Sequence, residues 1–181
     1  MVRLGRTTTD SELKKYSYNL KEVLFMKTLC LYYTRTNKTK EVMETIAGAI
    51  GADVAAYTDG KDRSGVLGYV GACFASVKRV LPHVAIKGDV DLAAYDRVLI
   101  GMPVWAEAPC AIGRALIKKY RDRLPADVYF VVTHMGAHDY MAKIKAIDNL
   151  LERPSAGQIS IRTKENDYRK ESAAFAQTLE K

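Results

Sequence analysis

The chain has 181 residues, 48% hydrophobic and 27% charged, which excludes a wholly disordered or fibrous polypeptide and leaves room for one domain with a buried core. Lys and Arg total 28 against 21 Asp and Glu; the resulting +7 is spread along the chain without the basic block that tracks a nucleic-acid backbone. No run of about 18 uncharged apolar residues suits a membrane span, so nucleic acid and a membrane span are both set aside.

Residues 1–26 fit no alternation of strands and helices. Leu13, Tyr16, Leu20 and Leu24 recur at near-helical spacing, which suits a short extra helix; Met26-Lys27, directly ahead of the first strand, equally suits a natural start. They are expected to be an N-terminal extension, with one domain over 27–181. The segment lacks the continuous apolar core of a secretory signal. Cys30, Cys73 and Cys110 form no C-x-x-C pair, so a reducing, cytoplasmic setting is expected.

From Lys27 onward short apolar runs alternate with helix-period segments five times. Strands are predicted at Thr28–Tyr33, Ala52–Tyr57, Arg97–Met102, Asp127–Thr133 and Gln158–Thr163. Helices follow from Val42, Ile46 and Ile50, from the small-residue segment Gly65 to Val80, from Ile112, Leu116 and Tyr120, and from Tyr168, Phe175 and Leu179. Gly51 stands where a left-handed terminator ends the first of these, and Pro109 where a first helical turn tolerates a missing N–H. The expected class is α/β: a doubly wound, five-stranded parallel sheet with helices on both faces.

In such a sheet ligands bind beyond the carboxyl ends of the strands, which nominates three loops. The first, Thr34-Arg35-Thr36-Asn37-Lys38-Thr39, runs into a helix, so hydroxyls, an amide and unpaired backbone N–H groups converge on an anion such as a phosphate monoester. The second carries Pro103, Val104, Trp105, Ala106 and Glu107; the only tryptophan is expected on the binding edge, where an indole stacks on a flat ligand. The third, Thr133-His134-Met135-Gly136-Ala137-His138-Asp139-Tyr140, adds a glycine for close backbone approach and a second aromatic face in Tyr140. His134 and His138 have the spacing of a helical ligand pair, but Gly136 favours a turn and no further ligand stands nearby, so no metal is expected.

Together these loops resemble the flavodoxin family: Tyr33-Thr34-Arg35-Thr36-Asn37-Lys38-Thr39 looks like its phosphate loop, Gly101-x-Pro103-Val104-Trp105 like its first ring-binding loop, and Thr133-His134-Met135-Gly136 completes the set. The resemblance implies the strand order 2-1-3-4-5 and FMN as cofactor. It further implies that Thr34, Thr36 and Thr39 hold the phosphate, with Trp105 stacked on the isoalloxazine and Tyr140 as second cover. The short connection from Leu151 to Gln158 looks like the family's short-chain branch.

Two residues depart from the family pattern. Asn37 replaces the usual glycine, and Asn is among the non-Gly residues that best tolerate positive φ. Ala106 and Glu107 replace the small residue or glycine that lets the peptide turn toward the flavin, which favours transfer of electrons in pairs. Two redox roles follow: electron transfer through bound flavin to a partner protein, or NAD(P)H-dependent reduction of a small quinone-like acceptor. A third role is a flavin-free interaction domain. Other doubly wound families fit poorly. The ends of strands one and three lack the acidic residues that hold Mg²⁺, Cys30 to Arg35 is one residue short of C-x5-R, and no G-x-G-x-x-G or P-loop motif occurs.

Overall fold

A computed structural model describes residues 26–63, 65–78, 80–137, 140, 142, 144, 146–164 and 167–180. The expected extension over 1–26 lies outside the described residues but for Met26, as do His138 and Asp139. Strands β1 (Thr28–Tyr32), β2 (Asp53–Thr58), β4 (Arg97–Trp105), β6 (Asp127–His134) and β7 (Gly157–Arg162) pair in parallel in the order β2-β1-β4-β6-β7. Two further strands correct the expectation of five parallel strands. β3 (Ala85–Ile86) pairs antiparallel with β2, and β5 (Ala108–Pro109) pairs antiparallel with β4, making a seven-stranded mixed sheet. Both are two residues long, too short for a period-two pattern to reveal them.

Side chains alternate across the pleat, and the strands divide accordingly between two cores. Leu29, Leu31, Val98, Ile100, Met102, Phe130 and Val132 face one side, where they meet Ile112 and Leu116 of helix α3 (Ala111–Tyr120) and Ala72 of helix α2 (Gly65–Val77). Cys30, Leu99 and Val131 face the other, where they meet Val42, Met43 and Ile46 of helix α1 (Lys38–Ile50) and Ala176 of helix α5 (Tyr168–Thr178). A short helix α4 (Asp148–Leu151) adds Leu151 to the first core. The central strands are so closely covered that a Cβ on Gly101 would lie 2.5 Å from Met43 Cγ.

Gly51 ends α1 at φ 66°, as the sequence predicts. Pro109 does not open α3. It lies in β5, and Cys110 caps the helix by accepting the Gly113 N–H at 3.3 Å through Sγ. The second predicted loop is therefore a hairpin: Val104 and Trp105 continue β4, because branched and aromatic residues suit a pleated surface, and only Ala106 and Glu107 turn the chain. Helix α2 has Ala72 and Ser76 buried but leaves Val70, Phe74 and Val77 exposed. Its Gly68 is required not by the sheet but by the Arg63 backbone, 2.6 Å from where a Cβ would stand.

The candidate cleft at the carboxyl edge of the sheet

Strand register sets the cleft. Tyr32 pairs with Gly101, Pro103 with Thr133 and His134 with Arg162, so the segments leaving β1, β4 and β6 emerge side by side. They enclose a cavity of about 240 Å³ lined by Arg35, Thr36, Lys38, Thr39, Pro103, Val104, Trp105, Ala106, Thr133, His134, Met135, Gly136 and Tyr140. Thr34 and Asn37 stand beside this set without lining the cavity. Glu107 of the second nominated loop also lines it, as do Tyr69 and Thr163, which sequence reasoning missed.

One wall is built to face an anion. Asn37 adopts φ 63° and ψ −5° as the residue before α1, the left-handed geometry expected of it, with no capping bond from its side chain. The Glu41 N–H to Asn37 carbonyl bond (2.9 Å) is the first turn of the helix, so the N–H groups just before it have no intrahelical acceptor and present the positive end of the helix dipole. Thr39 and Thr133, both buried, share a hydrogen bond between their hydroxyls at 2.8 Å. That pair has two protons and uses one. Thr34 Oγ1 and Arg35 Nε are buried with no hydrogen-bond partner among the described residues. A hydroxyl and a guanidinium N–H left unsatisfied beside a helix amino end fit a phosphate.

Lys38 reaches the same wall through a network on α5. Its Nζ donates to the Tyr168 hydroxyl at 3.1 Å, that hydroxyl donates to Glu41, and Arg169 Nη2 lies 3.1 Å from the same carboxylate. The hydrogen bond from Tyr168 is the main cause holding the Glu41 carboxyl below its ordinary value, and Arg169 and Lys38 add to it. The Lys38 ammonium is raised, first by its bond to Tyr168.

The opposite wall departs from expectation in one respect. Trp105 lines the cleft, but it shows little surface there: it is 5% exposed, its ring edge-on to Tyr33 at 5.6 Å and 84°. The β4–β5 pairing turns it into the first core, where a large aromatic buries more area than on the rim. Tyr140 is likewise buried, 4.7 Å from the His134 ring, and its hydroxyl lies 2.5 Å from where a Cβ on Gly136 would stand. Gly136 thus serves packing of the third loop, and its carbonyl lies 3.1 Å from His134 Nδ1.

The aromatic that stays accessible is Tyr69, 40% exposed, with the Arg35 guanidinium 4.8 Å above its ring. A tyrosine between Gly68 and Val70 on a small-residue helix was its only trace in the sequence. Thr163 donates its N–H to the His134 carbonyl at 2.8 Å; its trace was a hydroxyl at the carboxyl end of a fifth strand, beyond the three loops considered. Among the described residues no group of three or more His, Cys, Asp or Glu side chains could hold a metal ion, and no helix is long and apolar enough to cross a membrane.

No protein-family model matches the chain, and no curated protein matches it. Solved structures do. A flavoprotein from Lactobacillus acidophilus, determined in complex with FMN, superposes with a TM-score of 0.63 at 18% identity, covering 82% of this chain and 99% of that one. Flavodoxin 2 from Bacillus cereus gives 0.53 at 14% identity over 84% and 97%, and a flavodoxin, WrbA-like protein from Agrobacterium tumefaciens gives 0.53 at 10% over 86% and 95%. At these identities the likeness is one of architecture: the chain has the flavodoxin-like α/β fold.

Proposed function

We propose that the chain is an FMN-binding flavoprotein that transfers electrons through flavin held in the carboxyl-edge cleft. The observation that carries this reading is the unsatisfied pair Thr34 Oγ1 and Arg35 Nε at the amino end of α1, beside the Thr39–Thr133 hydroxyls. Arg35, Thr36, Lys38 and Thr39 would hold the phosphate, joined by the helix N–H groups. Thr34 would serve the same end through its buried hydroxyl, and Asn37 by supplying the left-handed turn that opens the helix. Pro103, Val104, Ala106, Met135, Gly136 and Tyr140 would border the ring, with Thr133 and His134 at its base and Tyr69 in the stacking role expected of Trp105. The bound flavin supplies the electron chemistry, and the protein supplies orientation and charge.

The cavity of about 240 Å³ is smaller than the roughly 300–1,000 Å³ of pockets that enclose a drug-sized ligand, so part of an FMN molecule would stay open to a redox partner protein or to a small quinone-like acceptor. Purified protein mixed with FMN should bind it at one equivalent with a shifted flavin absorption spectrum. A spectrum identical to that of free FMN would leave a flavin-free interaction domain. Turnover of NAD(P)H with a quinone and no added reductase would make the protein an oxidoreductase; electron delivery only to a protein partner would make it a carrier.

A further inference from the structure

Among the described residues eight large hydrophobic side chains are exposed, and six of them, Tyr69, Val70, Phe74, Val77, Val80 and Leu81, lie on α2 or within four residues of its end. The helix carries no charged residue from Gly65 to Val77, and a helix apolar on every side belongs in an interior. Only one side of it is covered. Ala72 and Ser76 turn inward, whereas Val70, Phe74 and Val77 recur at i, i+4 and i+7 on the outer face, at 56%, 62% and 61% exposure. Val77 carries this surface on into a second cavity, about 570 Å³, which Ile147 and Leu150 also line and which shares Ala106 and Glu107 with the cleft.

Gly71 is the middle residue of α2 and stands on the same outer face. Glycine inside a helix costs stability relative to alanine, and a Cβ there would meet no atom within 4 Å, so nothing in one copy of the chain requires it. A bare backbone between Val70 and Phe74 lets a second backbone come close. The stripe offers no charge for an ionic partner to recognise; it ends at Lys78, whose ammonium lies 5.6 Å from the Phe74 ring. An isologous contact sets a patch against itself, and a patch that holds both a protruding ring and a bare backbone is complementary to itself. The six side chains expose roughly 500 Å² per copy, so a pair would bury about 1,000 Å², where specific interfaces begin.

We infer that the chain forms a two-fold symmetric dimer through the outer face of α2, the two helices crossing antiparallel at Gly71. Gly71 faces Gly71 of the partner subunit, each Phe74 ring fills space that the missing side chains leave, and Lys78 borders the contact at each end. The dimer does not rest on the FMN reading, because Val70, Gly71, Phe74 and Val77 line no part of the cleft.

Sedimentation velocity of the full chain over a concentration series, alongside Phe74→Glu and Gly71→Leu, tests it. The wild-type chain should sediment at twice the monomer mass and dissociate on dilution. Phe74→Glu should weaken the dimer about a hundredfold, and Gly71→Leu, which holds the backbones apart, about tenfold or more. Both positions are open in a single copy, so thermal melting of the dilute variants should show them folded, Gly71→Leu with an unchanged or raised midpoint. With Cys73 replaced by serine, Gly71→Cys should give a disulfide-linked dimer on oxidation with copper phenanthroline, and Lys40→Cys, on α1 across the sheet, none. A wild-type chain that stays monomeric at every concentration, a dimer indifferent to Phe74→Glu, or a disulfide at Lys40→Cys without one at Gly71→Cys would each overturn the assignment. So would a photoreactive residue at position 74 that joins residues 1–25 of the same chain, or a monomer that co-sediments with phosphatidylcholine–phosphatidylserine vesicles and is released by Phe74→Glu. Dimerisation without FMN binding would leave the dimer standing and the functional proposal fallen, and FMN binding to a monomer the reverse.

Discussion

The hydroxyls of Thr39 and Thr133 lie 2.8 Å apart although 94 residues separate them, and both are buried at the floor of the cleft. This contact joins the first turn of α1 to the end of β6. Replacing one partner strands the other hydroxyl in a buried place, whereas replacing both removes the unpaired group.

Thr133→Val alone should therefore cost about 1–2 kcal/mol, and the double variant Thr39→Val/Thr133→Val clearly less than the sum of the singles. Urea denaturation of the four proteins in this cycle measures the coupling. Strict additivity would show the contact to be energetically idle.

The two-residue turn between β4 and β5 offers a stabilising change. Positive φ at both central positions marks a type I′ turn, for which Asn-Gly is the preferred sequence. Ala106→Asn combined with Glu107→Gly should raise stability by about 1–2 kcal/mol, read as a higher urea midpoint at unchanged slope.

The three thiols should differ sharply in reactivity. Cys30 and Cys110 are buried and burial pushes both up to about 12, whereas Cys73 is only half-buried. A thiol-specific chromogenic reagent should label Cys73 first in the native protein and all three only in denaturant, because the thiolate is the reacting form. Cys73→Ser should eliminate the early phase.

Alkaline pH should destabilise the fold. Burial raises Cys110 and Cys30 from 9.0 to about 12, and raises Tyr33 from 10.0 to about 12 with the neighbouring Cys110 as a second cause. Over that window the folded chain keeps protons that the unfolded chain releases, so stability complete below the lower values is lost as pH rises through the upper ones. On the acid side Glu41 is held below 4.5, chiefly by Tyr168, so its contribution is present above 4.5 and fades as pH falls below it. Urea midpoints across the pH range should fall at both ends, and Tyr168→Phe should flatten the acid limb through Glu41 and also trim the alkaline limb through Lys38, whose raised value rests first on the same hydroxyl.

Much of the scaffold was legible from periodicity. The runs around Leu29–Leu31, Val98–Ile100 and Val128–Val132 are apolar on both faces because helices cover both faces, and Val42, Ile46 and Ile50 repeat at the spacing of a buried helical stripe. The left-handed Asn37 was legible too, because few side chains other than Asn accept that backbone geometry. The burial of Trp105 was not. Its rim or core position depends on pairing with Ala108 across a two-residue turn, and Ala106-Glu107 carries no turn signal of the Asn-Gly kind.

By itself, then, the amino-acid sequence determined the alternation of elements and the polar loop ahead of α1, since both arise from interactions within a few residues along the chain. Only the tertiary structure decided that Tyr69 and Thr163 join the cleft, that Tyr168 reaches Lys38 across 130 residues, and that one hairpin wall is shared by two cavities. Those relationships exist because separate segments share space, and no local pattern of residues encodes which distant side chain will arrive at a given point.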